Sequence, residues 1–549
     1  MSSLGPIYDQ LTAPGAPFAL AMEEVLGETM PVFASRPGSL RALLEASRAH
    51  VDREFLVFGS RRISYREHRE QVAQLARGLS EKYGIRPGDR VAILAANRPE
   101  WILTFWAVTS LGAIAVGMNG WWAAEEILNA LEDCAPSLLV GDRRRLERIE
   151  GREIGVPIVE IESAFGSLYT EAHALPDHPI DEDDPACILY TSGTTGRAKG
   201  AVLSHRALVA GVGLQTLNGA ATLLAHSSAI PTEPPCTLLT TPLFHVSGLV
   251  AGVVTMLATG AKVILREGRF DPVDVMRLIE QEHVTSWPTT PTMAHRVVHH
   301  PELDDYDLTS LRHLGSGGSA LGEHLQQRIR ERLPDAARGI GLGYGLTESG
   351  GIATINSGEE LAAHPTSAGR AMPSVEVEIR DPAGRRLPED TEGEIYIRSP
   401  LVMLGYWRNE AATEEALAEG RWLRTGDIGR IQGGQLYIDS RARDLIIRGG
   451  ENVYPVEVEH AIESHPAVDE AAVVGADHEE LGQEVHAFVV PKAGSEIGVD
   501  ELDDWVRGRL AAFKVPARWT LRQTRLPRNA SGKLVKPSLA GATLAMIED

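Results

Sequence analysis

With 549 residues the chain exceeds what a single hydrophobic core holds, so two or more domains are expected. Its 43% hydrophobic and 23% charged residues are those of an ordinary globular protein. A formal net charge of −22 excludes the basic footprint that nucleic acid requires and disfavours electrostatic docking on anionic lipid.

Cys134, Cys187 and Cys236 are scattered and lack CxxC spacing, which argues for a reducing compartment and against a zinc site or disulfide frame. The apolar patch Phe18 to Met22 has no basic flank and stops at Glu23-Glu24, so no signal peptide is read there. A cytoplasmic location is the expectation. In chain order, Leu40 to His50 and Tyr65 to Tyr83 have helical periodicity, the second ending at Gly84. Arg90 to Leu94 is a short buried strand, and Asn97-Arg98-Pro99-Glu100 opens the next helix. From Trp101 to Ala124 no residue is charged. The interruptions Thr104, Thr109, Ser110, Gly112, Gly117 and Asn119 favour a buried helix to about Leu111 followed by a core strand, Ala113 to Met118, over a membrane span. Ser137 to Val140 is another strand. Such βα alternation predicts an α/β fold of mostly parallel sheets covered by helices.

Cys187 to Tyr190 reads as a buried strand running into Thr191-Ser192-Gly193-Thr194-Thr195-Gly196-Arg197-Ala198-Lys199-Gly200, and Ala201 to Leu208 as the opening of a helix. Hydroxyls, glycines and one lysine after a strand outline a polyphosphate cradle: glycines admit backbone N–H groups close to the oxygens, and Lys199 supplies charge. Two residues separate Gly196 from Lys199, so this is no Walker A loop. Gly219 to Pro235, small and proline-rich, reads as a surface loop. Further on, Gly343-Tyr344-Gly345-Leu346-Thr347-Glu348-Ser349 offers an aromatic face between glycines and a hard oxygen ligand in Glu348. Val375 to Arg380 and Gly393 to Arg398 are strands of a smaller β-rich subdomain. Beyond Arg441 the pattern is a compact α+β unit: helix Val456 to Ser464, strands Glu470 to Gly475 and His486 to Val490, and helix Asp500 to Leu510. The predicted division is 1–440 and 441–549.

These stretches resemble, in order, the signatures of the adenylate-forming superfamily of acyl-CoA synthetases, adenylation domains and luciferases, most like a bacterial fatty-acid-type acyl-CoA synthetase. Ala198 stands where a proline is usual. The resemblance implies a large N-terminal domain, a small mobile C-terminal one, and use of ATP, Mg²⁺ and coenzyme A. It assigns the phosphates to Thr191, Ser192, Gly193, Thr194, Thr195, Gly196 and Lys199. The adenine goes to Gly317, Gly318, Ser319, Gly343, Tyr344, Gly345 and Thr347, and the ribose to Asp427 and Arg441. Mg²⁺ falls to Glu348 and Thr191, and the hinge to Arg443, where Asp or Lys is usual. Lys533 of Pro527-Arg528-Asn529-Ala530-Ser531-Gly532-Lys533 matches the catalytic lysine, with Lys199, Glu348 and His245 as further catalytic groups.

Gly449, Gly450, Glu451 and Asn452 form the implied coenzyme A loop. The implied acyl pocket comprises Phe244, His245, Val246, Gly248, Val250, Trp287, Ser316, Gly345, Ser349 and Gly350, with Ser247 and Thr289 beside them. No carboxylate follows Pro242 to hold a substrate ammonium, whose unpaired burial would cost several kcal/mol, so amino acids are expected to be poor substrates. Gly248 and Gly350 suggest room and Val246 and Val250 an apolar wall, which puts medium- or long-chain fatty acids first. Aryl acids come second, with Trp287 as a stacking face. The expected partners are a carboxylic acid, ATP and CoA, with no nucleic acid and no integral membrane segment, and a homodimer is left open. Transfer to a carrier protein is the alternative; a luciferase-like oxygenase and a non-catalytic nucleotide sensor are the more distant ones.

Overall fold

A computed structural model describes residues 4–191, 198–225, 234–317, 321, 323–337, 339–441, 446–453, 455–492, 494–495, 497–527, 536 and 539. Two sheets dominate. The first has seven strands in the order Gly405–Tyr406, Lys199–Ser204, Pro185–Thr191, Ile114–Gly117, Arg90–Leu94, Leu138–Gly141 and Ile158–Glu160. From Pro185–Thr191 to Ile158–Glu160 neighbouring strands run parallel. The second has nine strands, with a parallel centre that includes Ser286–Thr289, His313–Gly317 and Ile340–Tyr344 side by side. Parallel strands buried on both faces explain the short continuous apolar runs in the sequence.

The uncharged stretch resolves into a helix, Pro99–Ser110, buried along its whole length, and the strand Ile114–Gly117. Its lack of charge is therefore a property of the core. Another helix, His205–Ala225, has the length and apolar composition of a span, and half of that window is buried inside the fold. The long helix Tyr65–Tyr83 is closed by a Ser64–Glu67 capping box and a left-handed Gly84.

Two expectations require correction. Lys199–Ser204 is a strand, paired antiparallel with Pro185–Thr191 so that Lys199 faces Thr191; the helix begins only at His205. Every residue from Gly200 to Ser204 is buried, and a hairpin buries such a run on both faces where a helix would expose one. The helix then continues to Ala225, through the first part of the segment read as a loop; residues 226–233 lie outside the described residues.

Between residues 376 and 441 lies an antiparallel five-stranded sheet. The last sheet contains Ile446–Arg448, Glu451–Val453, Val468–His478, Gly482–Pro491 and Arg518–Leu521, with helices Pro455–Glu463 and Val499–Arg507 against it. It has its own apolar core, including Val458, Ile462, Val473, Val485, Val489 and Leu502.

Candidate active site

The carboxyl ends of three neighbouring parallel strands meet at one edge, the usual position for a ligand in an α/β sheet. Register brings Thr289 beside Ser316, and Gly317 beside Gly343. Tyr344 ends the third strand, and its hydroxyl donates to Asp427 Oδ2 at 2.8 Å. Asp427 is 2% exposed and lies opposite Arg441 in the antiparallel pair of strands 422–432 and 435–441. The tyrosine expected at the purine and the carboxylate expected at the ribose thus belong to one cluster. Gly345 must be glycine for a reason of space: a Cβ there would sit 2.6 Å from the carbonyl oxygen of Gly351.

Thr191 and Lys199, expected at the phosphates, face each other on the hairpin. Thr191 Oγ1 and the Tyr406 hydroxyl both donate to Glu348 Oε1, each at 2.9 Å, leaving Oε2 as the oxygen neither engages. Lys199 Nζ lies 5.1 Å from the centre of the Tyr406 ring. Glu348 is fixed along the backbone as well, since the Met403 N–H donates to its carbonyl at 2.9 Å. A carboxylate oxygen beside a threonine hydroxyl is a hard oxygen donor set of the kind Mg²⁺ takes together with phosphate oxygens. Among the described residues no group of three or more His, Cys, Asp or Glu could hold a metal ion. Tyr406 escaped the sequence reading; its signal was Gly405-Tyr406-Trp407, whose short strand pairs with Ala201 and Val202.

A second omission is Asn97. Its amide donates to the Thr241 carbonyl at 2.7 Å and its oxygen accepts from the Leu243 N–H at 2.9 Å. It therefore pins the segment that carries Phe244 and His245, rather than capping the helix, whose N-cap is Arg98. A helix of wide π pitch, Ser247–Val254, follows directly. His245 Nε2 lies 3.6 Å from Glu451 Oε2 of the C-terminal sheet. Gly449 and Gly450, at φ 61° and 87°, bring that loop against Thr292 and Thr290.

Several residues expected in the acyl pocket are buried or closed off by neighbouring backbone. Trp287 is fully buried in the core, with its indole N–H donating to Thr240 Oγ1 at 3.0 Å. Val250 is 3% exposed and packs toward Gly211. Gly248 and Gly350 leave no room: a Cβ at Gly248 would lie 2.0 Å from the Pro242 carbonyl oxygen, and one at Gly350 2.7 Å from that of Leu401. Ser349 is buried and caps its own turn, its hydroxyl accepting from the Leu346 N–H at 2.8 Å. Phe244 is buried, His245 and Val246 are half-buried, and the buried Ser316 hydroxyl has no hydrogen-bond partner among the described residues. Ser192, Gly193, Thr194, Thr195, Gly196, Gly318, Ser319, Arg443 and Lys533 lie outside the described residues, as do the side chains of Arg441 and Asn452.

Two family models match, "AMP-binding enzyme" over residues 43–407 and "AMP-binding enzyme C-terminal domain" over 457–533. A feruloyl-CoA synthase from Amycolatopsis sp is 36% identical over 485 residues, covering 87% of this chain and 93% of that protein. Two structures of o-succinylbenzoate CoA synthetase from Bacillus subtilis are also similar. The double mutant bound to its product analogue OSB-NCoA superposes with a TM-score of 0.79 at 30% identity, covering 92% of this chain and 98% of that one. The complex with the acyl-adenylate OSB-AMP superposes at 0.64 and 31% identity, over the same shares of the two chains. The chain belongs to the AMP-binding enzyme family of the adenylate-forming superfamily, and is an ATP-dependent acid:CoA ligase.

Proposed function

We propose that the substrate is a compact carboxylic acid carrying an aromatic ring, activated as its adenylate and transferred to the thiol of coenzyme A. The observation that carries the ring is the wall of Phe244, His245 and Val246, with backbone carbonyls filling the positions beside Gly248 and Gly350 that were expected to give room. The aryl names of similar ligases point the same way. This replaces the fatty acid as first choice.

In the first step a carboxylate oxygen attacks the α-phosphorus of ATP, the bond to pyrophosphate breaks, and an acyl-adenylate forms. Anion meets anion there, so positive charge has to lie close. Lys199 and Lys533 are the cations we assign to it, and one such donor is typically worth ~10²–10³ in rate. Mg²⁺, held by Glu348 and Thr191 with the phosphates, would supply Lewis-acid charge neutralisation. Tyr344 and Asp427 hold the nucleoside. In the second step the thiol sulfur attacks the acyl carbon, AMP leaves, and His245, kept in place by Asn97 and Glu451, takes the thiol proton.

A hinge at Arg443, with the boundary at 440/441, lets Lys533 leave before the thiol enters. The higher TM-score of the CoA-product-analogue complex, 0.79 against 0.64 for the adenylate complex, supports reading the contact of Glu451 with His245 as the thioester-forming arrangement. An ATP–pyrophosphate exchange panel with thioester detection tests the substrate class. A cinnamate-type acid should exceed octanoate, palmitate and glycine by about tenfold or more, the discrimination a shaped apolar pocket affords. Palmitate or octanoate in first place would overturn it.

A further inference from the structure

Lys514 is 3% exposed, yet its ammonium is bound on two sides. It donates to Glu457 Oε1 at 2.6 Å and to Glu126 Oε1 at 2.7 Å, and these two carboxylate side chains are themselves only 6% and 10% exposed. The two partners differ in where they belong. Glu457 lies on the helix Pro455–Glu463, in the same C-terminal unit as Lys514. Glu126 lies in the first turn of the helix Ala124–Cys134, in the large N-terminal part. The other Glu126 oxygen accepts from the Ala123 N–H at 2.9 Å, so its own helix start aims the carboxylate at Lys514. Next to this bridge, Phe513 meets Trp121 edge to face with ring centres 5.9 Å apart. Residues 513–514 of one unit thus dock on residues 121–126 of the other.

We propose that Glu126 and Lys514 are positioning residues that latch the C-terminal unit in the thioester-forming orientation; this rests on the two-step reading above. The pairing of Lys514 with Glu457 lies within one unit and travels with it, whereas Glu126 stays behind. When the unit turns, the ammonium keeps one carboxylate and is never left alone, so the latch can open without stranding a buried charge. Burial pushes the Glu457 carboxyl up, against the pull of Lys514, while the two carboxylates outweigh burial and hold the Lys514 ammonium in its charged form. Trp121 also packs on Phe244, with ring centres 5.2 Å apart, and so borders the acyl wall. The charged pair Glu126–Lys514 instead makes its other bonds to Ala123 and Glu457, and loss of that pair should spare the first half-reaction.

Glu126→Gln keeps the cap, because the amide oxygen still accepts from Ala123, but presents an NH₂ to Lys514. Pyrophosphate exchange should stay within about twofold of wild type, while thioester formation from supplied acyl-adenylate and CoA falls about tenfold or more, as for removal of one partner of a buried charge pair. A readout independent of catalysis comes from energy transfer between dyes on cysteines introduced at the exposed positions Ile158 and Val499. The native thiols of Cys134, Cys187 and Cys236 are buried and pushed up to about 12 by desolvation, so they resist labelling. Glu126→Gln should shift the transfer efficiency away from the wild-type value. Equal loss of both half-reactions, an unchanged thioester rate, or unchanged energy transfer would overturn the latch. If the wild-type enzyme makes no thioester, the acceptor reading fails by itself, and the energy-transfer measurement alone decides the latch.

Discussion

Glu348 accepts from Thr191 and from Tyr406 on one carboxylate oxygen, and neither of them engages the other oxygen. Glu348→Gln keeps the shape and the acceptor but removes the charge, so pyrophosphate exchange should fall ~10²–10³-fold with little change in thermal stability. A loss below about threefold would remove Glu348 from the chemistry. Such residues were legible because the reaction spells them out in short polar words, as with Tyr344, Glu348 and Asp427. Tyr406 and Asn97 were not, since each acts by what it touches across the fold: one a carboxylate 58 residues away, the other a carbonyl 144 residues away. Gly248 and Gly350 misled for the opposite reason. A glycine in a sequence says that space is tight or the backbone unusual, without saying whether a ligand or a neighbouring carbonyl fills the gap.

His68 belongs to the same scale, although it serves stability. It is fully buried between Phe55 and Trp106, and burial lowers its pKa from 6.5 to about 3. The unfolded chain binds a proton there between those two values and the folded chain does not. Its contribution is therefore complete above pH 6.5 and is lost as pH falls toward 3, at ~1.4 kcal/mol per pH unit. Urea unfolding of wild type and His68→Phe at pH 7 and pH 5 should show a smaller acid loss in the variant. Parallel losses would mean that other groups govern acid unfolding.

At the level of elements, strands and helices with pure periodicity were read closely, as with Arg90–Leu94 and Tyr65–Tyr83. The hairpin at 199–204 was not, because the five small or apolar residues Gly200 to Ser204 fit either period and only the pairing with the strand ending at Thr191 decides. The loop of Gly449 and Gly450 gives a test at this scale. A Cβ at Gly450 would lie 3.2 Å from Thr290 Cβ, and its φ of 87° disfavours any side chain. Gly450→Ala should cost ~1 kcal/mol of stability through backbone strain. The thioester step should slow about tenfold, with pyrophosphate exchange reduced less than about threefold. Equal reductions would place this loop outside the acceptor step.

For the molecule as a whole, five sequence signatures in a fixed order announced the family, and the matched domains and the paired large sheets agree. The relative placement of the two units was not legible, since a hinge residue specifies freedom rather than an angle. It emerges only from contacts between distant residues: His245 with Glu451, Arg296 with Glu480 at 2.9 Å, and Lys514 with Glu126. Substrate class was equally hidden, because an apolar wall is written in the same residues as a core. Trp287 and Val250 turned out to be core.

The central claim is that a carboxylate oxygen of an aromatic acid becomes the bridge to the α-phosphorus of ATP before the acyl group reaches coenzyme A. An aromatic acid labelled with ¹⁸O in both carboxylate oxygens tests this directly when the products are weighed by mass spectrometry. AMP should carry one ¹⁸O and the thioester the other. Unlabelled AMP, or label in inorganic phosphate with ADP as the nucleotide product, would contradict it.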